Sequence, residues 1–81
     1  MPVKGLEIEI DVFKEAVKNE PILQFFEFSH LPENLQNISR PFCLVAMKVY
    51  LELPKNPERT ACLRKTLEAK DCAVRSYIFK N

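Results

Sequence analysis

The sequence predicts an all-α protein, an antiparallel helical hairpin with short N-terminal helices, and its chains are expected to assemble as an oligomer. Two long stretches, 32–53 and 57–79, carry apolar residues at the 3.6-residue spacing of amphipathic helices. The segment between them is short and bounded by prolines, so the two helices should lie side by side in opposite directions. The 81 residues therefore predict one helical domain, in which 1–31 supplies an arm and short helices and 32–79 the hairpin.

The first part of the chain predicts short elements. Residues 6–10 alternate between apolar and acidic over a brief strand-like period, and we expect an arm that packs on a neighbouring chain. Asp11 is the candidate N-cap of a helix of about two turns through 12–18. Pro21 should stop that helix, and a second apolar piece follows at 22–26.

The first hairpin helix is predicted from Pro32, which suits a first helical position. Its predicted inward face consists of Leu35, Ile38, Phe42, Val45, Ala46, Val49 and Leu53. Its other side is also apolar and carries Cys43, Leu44, Met47, Tyr50 and Leu51. Two apolar sides favour a helix placed between its own partner and another subunit. Pro41 predicts a kink, or a regular helix that begins only at Ser39 or Arg40.

The second hairpin helix has a clear start signal. Asn56 can cap it, Pro57 suits its first position, and Glu58 complements the positive end of the helix dipole. Its apolar face consists of Leu63, Leu67, Val74 and Ile78, widened by Thr66, Ala73 and Tyr77. From residue 57 onward six basic residues stand against three acidic ones. That excess is compatible with a local anion site but too small for a general nucleic-acid surface.

The basic residues of this helix point in two directions, some toward the edge of the apolar face and others toward the polar face. Arg59 and Lys70 lie near the apolar arc, so they either extend to water or meet an anion. Thr60 adjoins them and could donate its hydroxyl to a phosphate or form a local cap. Two ordinary ion pairs at i,i+4 spacing are expected on the polar face: Arg64 with Glu68, and Asp71 with Arg75.

The aromatic residues before the hairpin offer two interpretations. Phe25, Phe26 and Phe28 could form a stacking surface for bases together with His30. We favour the alternative, in which the phenylalanines close the open end of the hairpin and His30 bonds to the backbone.

Several classes of protein are disfavoured by the composition. Three cysteines do not complete a disulfide framework, and we expect small core residues with reduced thiols in a cytosolic protein. No stretch approaches the roughly 18 to 20 apolar residues of a membrane span. Neither a metal-ligand spacing nor a nucleophile with a nearby base is present in the sequence, so we expect a binding protein without metal or cofactor and not an enzyme.

A family resemblance rests on residues 28–42 (FSHLPENLQNISRPF), Leu53-Pro54, Glu58-Arg59-Thr60, Leu63-Arg64-Lys65 and Glu68-Ala69-Lys70-Asp71. Together these segments resemble small bacteriophage sponge proteins of the anti-CBASS and anti-Thoeris type, over residues 25–78. The resemblance implies immune evasion in the cytoplasm of an infected bacterium. Such a protein binds a cyclic di- or trinucleotide, or a related signalling nucleotide, and sequesters it without degrading it.

The resemblance also implies a site and an assembly. Members of that family are helical homo-oligomers, commonly hexamers, that hold nucleotides between subunits. Arg59, Thr60, Arg64 and Lys65 occupy the family's basic and hydroxyl positions. Lys70 joins these ligand-binding candidates because it lies on the same side of the helix as Arg59. The N-terminal segment departs from the family pattern, and its Lys14, Lys18 and Phe25 are weak stand-ins for a tyrosine or lysine there.

Two other functions compete with nucleotide sequestration. A small helical protein-interaction module could use the second apolar side of the 32–53 helix to bind and inhibit a host protein. A small DNA-binding protein is the third hypothesis, and the net charge of +1 argues against it. We therefore expect no DNA and no membrane among the partners.

Overall fold

The computed structural model describes residues 9–80, and in that range the protein is all-helical with no strand. The elements are helix α1 (Ile10–Asn19), a 3₁₀ segment (Pro21–Phe26), helix α2 (Glu33–Glu52) and helix α3 (Pro57–Ile78). The predicted all-α class is confirmed. The strand-like period and the arm predicted at the N-terminus lie outside the described residues, except for Glu9, which precedes α1 as its N-cap residue, and Ile10, which belongs to α1.

Helix α1 begins one residue before the predicted cap. Glu9 is the N-cap residue and makes no side-chain cap hydrogen bond, so the prediction that Asp11 caps this helix is wrong. Asp11 lies in the first turn, where its charge complements the positive end of the helix. The predicted stop is confirmed, because α1 ends at Asn19 and Pro21 opens the 3₁₀ segment.

Helix α2 runs without interruption from Glu33 to Glu52 and includes Pro41. Pro32 precedes it as the N-cap residue, within one position of its predicted place. A regular helix that begins only at Ser39 or Arg40 is therefore wrong. The turns before and after the proline keep the helix continuous although Pro41 itself donates no backbone hydrogen bond.

The buried face of α2 differs from the predicted one. Cys43 and Met47, which the sequence pattern assigned to the outer side, are buried in the core. Val45 and Leu53, assigned to the inner face, are about half exposed. Because α2 is apolar on both sides, periodicity alone did not fix which side faces the core. The argument that Cys43 and Met47 need a second subunit to cover them is thus overturned.

The core is formed where all four helical elements meet, and α2 and α3 pack against each other. Its buried apolar residues are Ala16, Leu23, Phe26, Cys43, Ala46, Met47 and Leu63. Phe26 is buried and Phe28 partly buried, as expected for residues that close one end of the fold. Phe25 instead is 57% exposed, so the core interpretation is wrong for this ring.

The start of α3 is as predicted. The side chain of Asn56 accepts a hydrogen bond from the backbone N–H of Arg59 at 2.8 Å, and Pro57 occupies the first turn. This cap satisfies one of the backbone donors that a helix leaves unpaired at its N-terminus.

Arg59 joins the ends of three elements although its side chain is only 8% exposed. Its Nη2 donates to Glu20 Oε1 at 2.7 Å, directly after α1. Its Nη1 donates to the carbonyl oxygens of Leu53 at 3.0 Å and Tyr50 at 3.4 Å, at the end of α2. The guanidinium also lies 5.3 Å from the centroid of the Tyr50 ring. One cation thus neutralises a poorly exposed carboxylate and satisfies carbonyls that α2 leaves free.

We predict that Arg59→Met lowers the free energy of unfolding by about 3 kcal/mol, because it leaves the Glu20 carboxylate buried without its partner. Urea denaturation followed by circular dichroism measures this change. Arg64→Met is the matched control, since Arg64 is exposed and makes no ion pair within residues 9–80. Arg59→Met/Glu20→Leu should recover part of the loss. A change for Arg59→Met within about 0.5 kcal/mol of wild type would show that the pair is not structural.

Candidate functional site

The predicted ligand-binding residues of α3 lie in different environments. Arg59 is buried with its guanidinium already engaged by Glu20, so an anion that binds it would compete with that carboxylate. Thr60, Arg64 and Lys65 are exposed on the surface of α3. Lys70 lies further along, with its side chain largely covered, and the structure does not bring it together with Arg59 in one pocket.

The predicted ion pairs on the polar face of α3 do not form. Asp71 Oδ1 lies 3.0 Å from Lys70 Nζ, and Arg75 is outside ion-pair distance of it. Arg75 Nη2 instead donates to Cys72 Sγ at 3.3 Å. Among residues 9–80, the charges of Arg64 and Arg75 are therefore not neutralised by any carboxylate within 4 Å.

Lys70 and Arg75 both line a cleft between the 3₁₀ segment, α2 and α3. The cleft has a volume of about 360 Å³. The side chains that give it its chemistry are Phe25, Glu27, His30, Ser39, Lys70, Asp71 and Arg75. We call it the Ser39 cleft. Only Lys70 among its members belongs to the ligand-binding residues predicted from the sequence.

Ser39 is the unusual member of this cleft. It is 2% exposed, and its Oγ has no hydrogen-bond partner among residues 9–80. A buried hydroxyl on a helix commonly donates to the carbonyl four residues earlier, as Thr66 Oγ1 does to Cys62 O at 2.7 Å. Burying a polar atom unpaired is unfavourable, so the unpaired hydroxyl of a residue that lines a cleft is a candidate for a hydrogen bond with a ligand.

The cleft also contains two carboxylates. Asp71 pairs with Lys70, and Glu27 Oε1 lies 2.6 Å from His30 Nδ1. This corrects the expectation that His30 bonds to the backbone. The hydroxyl and backbone N–H of Ser29 donate to Glu27 Oε2. The hydrogen bond from the Ser29 side chain is the main cause of the lowered pKa of Glu27, so this carboxylate stays ionised in neutral solution.

Phe25 gives the Ser39 cleft an aromatic wall. Its ring is largely exposed, whereas Phe26 is buried and the Phe28 ring lies 5.2 Å below the guanidinium carbon of Arg40, outside this cleft. Of the stacking residues considered from the sequence, Phe25 and His30 therefore share a cleft with cations. Sequence reasoning missed Ser39, whose only local signal is a polar residue in an otherwise apolar helix face.

A second cavity of about 360 Å³ is mainly apolar. It is lined by Ile10, Phe13, Phe28 and Cys43 and, on its polar side, by Lys14, Glu27 and Ser29. Burial raises the pKa of the Cys43 thiol to about 12. The three cysteines are free and differ in exposure: Cys43 is buried, Cys62 partly buried and Cys72 exposed. The expectation that all three are core residues holds for Cys43 and fails for Cys72.

None of the helices within residues 9–80 combines the length and apolar character that a bilayer-spanning helix needs. In the same range no three His, Cys, Asp or Glu side chains converge to hold a metal ion.

Comparison with family models, curated proteins and solved structures finds no match for the chain. The resemblance to phage sponge proteins therefore rests on the sequence segments quoted above.

We predict that alkylation of the native protein at pH 8 modifies Cys72 rapidly and leaves Cys43 intact, because Cys43 is buried and its thiolate is scarce. Mass spectrometry of peptides after iodoacetamide treatment measures both sites. Equal rates at the two cysteines would contradict the buried position of Cys43.

The same thiol predicts an alkaline loss of stability. Because folding raises the pKa of Cys43 from 9.0 to about 12, its contribution to stability is complete below pH 9 and declines as pH rises toward 12. The free energy of unfolding of wild type should therefore fall more steeply between pH 9 and pH 11 than that of Cys43→Ala. Cys72→Ala is the matched control and should keep the wild-type slope. Equal slopes for wild type and Cys43→Ala would count against the raised pKa.

Proposed function

We propose that this protein binds a signalling nucleotide, a cyclic di- or trinucleotide or a related molecule, and sequesters it without degrading it. The observation that carries the proposal is the Ser39 cleft, which combines an exposed aromatic ring with two cations and an unpaired buried hydroxyl. An arginine fork makes charge-assisted hydrogen bonds to phosphate, and an aromatic face stacks on a base. In this proposal Arg75 and Lys70 meet phosphate and Phe25 meets a base.

The exposed cations of α3 extend this proposal. Arg64 and Lys65 are free to contact further phosphates of the same ligand, and Thr60 can donate its hydroxyl. Arg59 is less available to a ligand, since its guanidinium already bonds to Glu20, Leu53 and Tyr50 and supports the fold. Loss of binding in an Arg59 variant would therefore not distinguish a ligand contact from a folding defect.

The proposal includes an antiparallel α2–α3 hairpin. Contacts at both ends support it: Asn34 near the start of α2 donates to Tyr77 OH near the end of α3 at 3.5 Å. At the opposite end Arg59 of α3 contacts Leu53 after α2 at 3.0 Å. Such a scaffold is rigid, so little ordering cost remains when a ligand binds.

A homo-oligomer, with the hexamer of the resembling family as one form, is also part of the proposal. Tyr77, Ile78 and Phe79 are consecutive, large, apolar and more than half exposed at the end of α3. Leu51 and Leu53 add exposed apolar surface at the other end of the α2–α3 pair. A domain of this size has a small core and commonly covers such residues by association. The proposed place of action is the cytoplasm of an infected bacterium.

The alternative function is a helical module that binds and inhibits a host protein. The same exposed end of α3 favours it, with Phe79 71% exposed. The Cys43 and Met47 side of α2 no longer favours it, because that side faces the core.

We predict that a cyclic di- or trinucleotide raises the melting temperature of the purified protein by about 10 °C or more when present at about 100 times its dissociation constant. The measurement is a thermal-shift screen against cyclic di- and trinucleotides and cyclic ADP-ribose isomers. Bound nucleotide released by heat should be chemically intact by mass spectrometry. Degraded nucleotide would contradict sequestration, and no shift across the panel would favour the protein-partner alternative.

We predict that Ile78→Asp disrupts self-association, because it places a charge in the proposed apolar interface. Sedimentation velocity measures the mass of the assembly. Thr60→Asp, a substitution at another exposed position of α3, is the matched control and should leave assembly intact. A monomeric wild-type protein at micromolar concentration would remove the oligomer from the proposal.

A further inference from the structure

We infer that the Ser39 cleft of each chain holds one nucleoside monophosphate unit and that the Ser39 hydroxyl selects its base. This inference rests on the proposed function and deepens it. The cleft volume of about 360 Å³ lies near the lower end of the range of small-molecule sites, about 300 to 1,000 Å³. That space suits a single nucleotide unit, while the remainder of a cyclic oligonucleotide would extend beyond the cleft.

The charges of the cleft favour a nucleotide over a bare phosphate. Lys70 and Arg75 are balanced by Glu27 and Asp71, so the site as a whole is not strongly positive. Arg75 has no carboxylate partner among residues 9–80, so its guanidinium is available to donate hydrogen bonds to a phosphate. The carboxylates are acceptors that suit ribose hydroxyls or base amino groups. A ligand that carries both an anionic group and hydrogen-bond donors would pair with the cation and with the carboxylates of the cleft.

Ser39 gives the cleft a means of selection. Its hydroxyl can donate one hydrogen bond and accept two, and in the described part of the free protein it makes none. A base edge that bonds to this buried atom gains more than one that leaves it unpaired, because an unsatisfied buried polar group is costly. Phe25, at the exposed wall of the cleft, is placed to stack on that base.

The test is isothermal titration calorimetry of the full-length protein with cyclic di-AMP, cyclic di-GMP and cyclic tri-AMP, followed by competition with AMP, GMP, adenosine and inorganic phosphate. Ser39→Ala should weaken the cyclic nucleotide that binds by about three- to tenfold, the value of one neutral hydrogen bond. Arg75→Gln should weaken it by about tenfold or more. Lys55→Gln, a matched loss of an exposed cation outside the cleft and outside the proposed ligand contacts, should change affinity by less than about twofold.

A second readout separates a ligand contact from a structural role. Ser39→Ala removes a hydroxyl that has no partner among residues 9–80, so the ligand-free melting temperature should stay the same or rise. Weaker binding together with unchanged or higher stability is expected only if the hydroxyl contacts the ligand. A lowered melting temperature with unchanged affinity would overturn the role of Ser39.

The competition series tests the nature of the ligand unit. AMP or GMP should displace the cyclic nucleotide, and one should do so better than the other, while inorganic phosphate and adenosine are weaker. Equal displacement by inorganic phosphate would overturn the nucleotide unit and leave a simple anion site. A cyclic nucleotide that binds tightly, ignores Ser39→Ala and Arg75→Gln, and is weakened by Lys65→Gln would overturn this inference but preserve the proposed function. Failure of all three cyclic nucleotides to bind would overturn this inference, while the proposed function is overturned only if the wider thermal-shift panel also shows no binding.

Discussion

The buried Arg59–Glu20 ion pair is the contact on which the arrangement of the helices depends. Glu20 directly follows α1, Leu53 directly follows α2, and Arg59 lies in the first turns of α3, so one guanidinium holds three chain segments together. A buried cation is tolerated only when its charge and its donors are satisfied. Here a carboxylate and two carbonyl oxygens satisfy them, and the Tyr50 ring covers the guanidinium. The apolar core that α1 and the 3₁₀ segment complete is placed by the same junction.

This role of Arg59 decides which cations of α3 remain for a ligand. The carboxylate of Glu20 occupies Arg59, and Asp71 occupies Lys70. Arg75 is left without a carboxylate at the end of α3 that adjoins Phe25 and Ser39. The candidate site therefore lies away from the start of α3, where the helix-start motif and the family resemblance had placed most of the predicted ligand contacts.

The two faces of α2 show what an apolar pattern leaves open. Both sides of this helix carry large apolar residues, so the spacing is compatible with two rotations about the helix axis. Packing of Leu23, Phe26 and Leu63 selects the rotation that buries Cys43 and Met47 and exposes Val45. Ser39 lies on the buried face as well, and with this rotation the residue lines the cleft. The rotation of one helix thus determined both the core and the candidate site.

The sequence alone determined the all-helical class and most helix boundaries, because these depend on local chemistry: Asn56 caps α3, Pro57 opens it, and Pro21 ends α1. The N-cap of α1 was misplaced because Asp11 fits the first turn as well as the cap position. Tertiary structure alone decided which arginine is buried and which serine is unpaired. Arg59 meets a partner 39 positions away in the sequence, and the Ser39 cleft draws its side chains from three separate elements. Such contacts depend on how the helices pack, which local spacing does not encode.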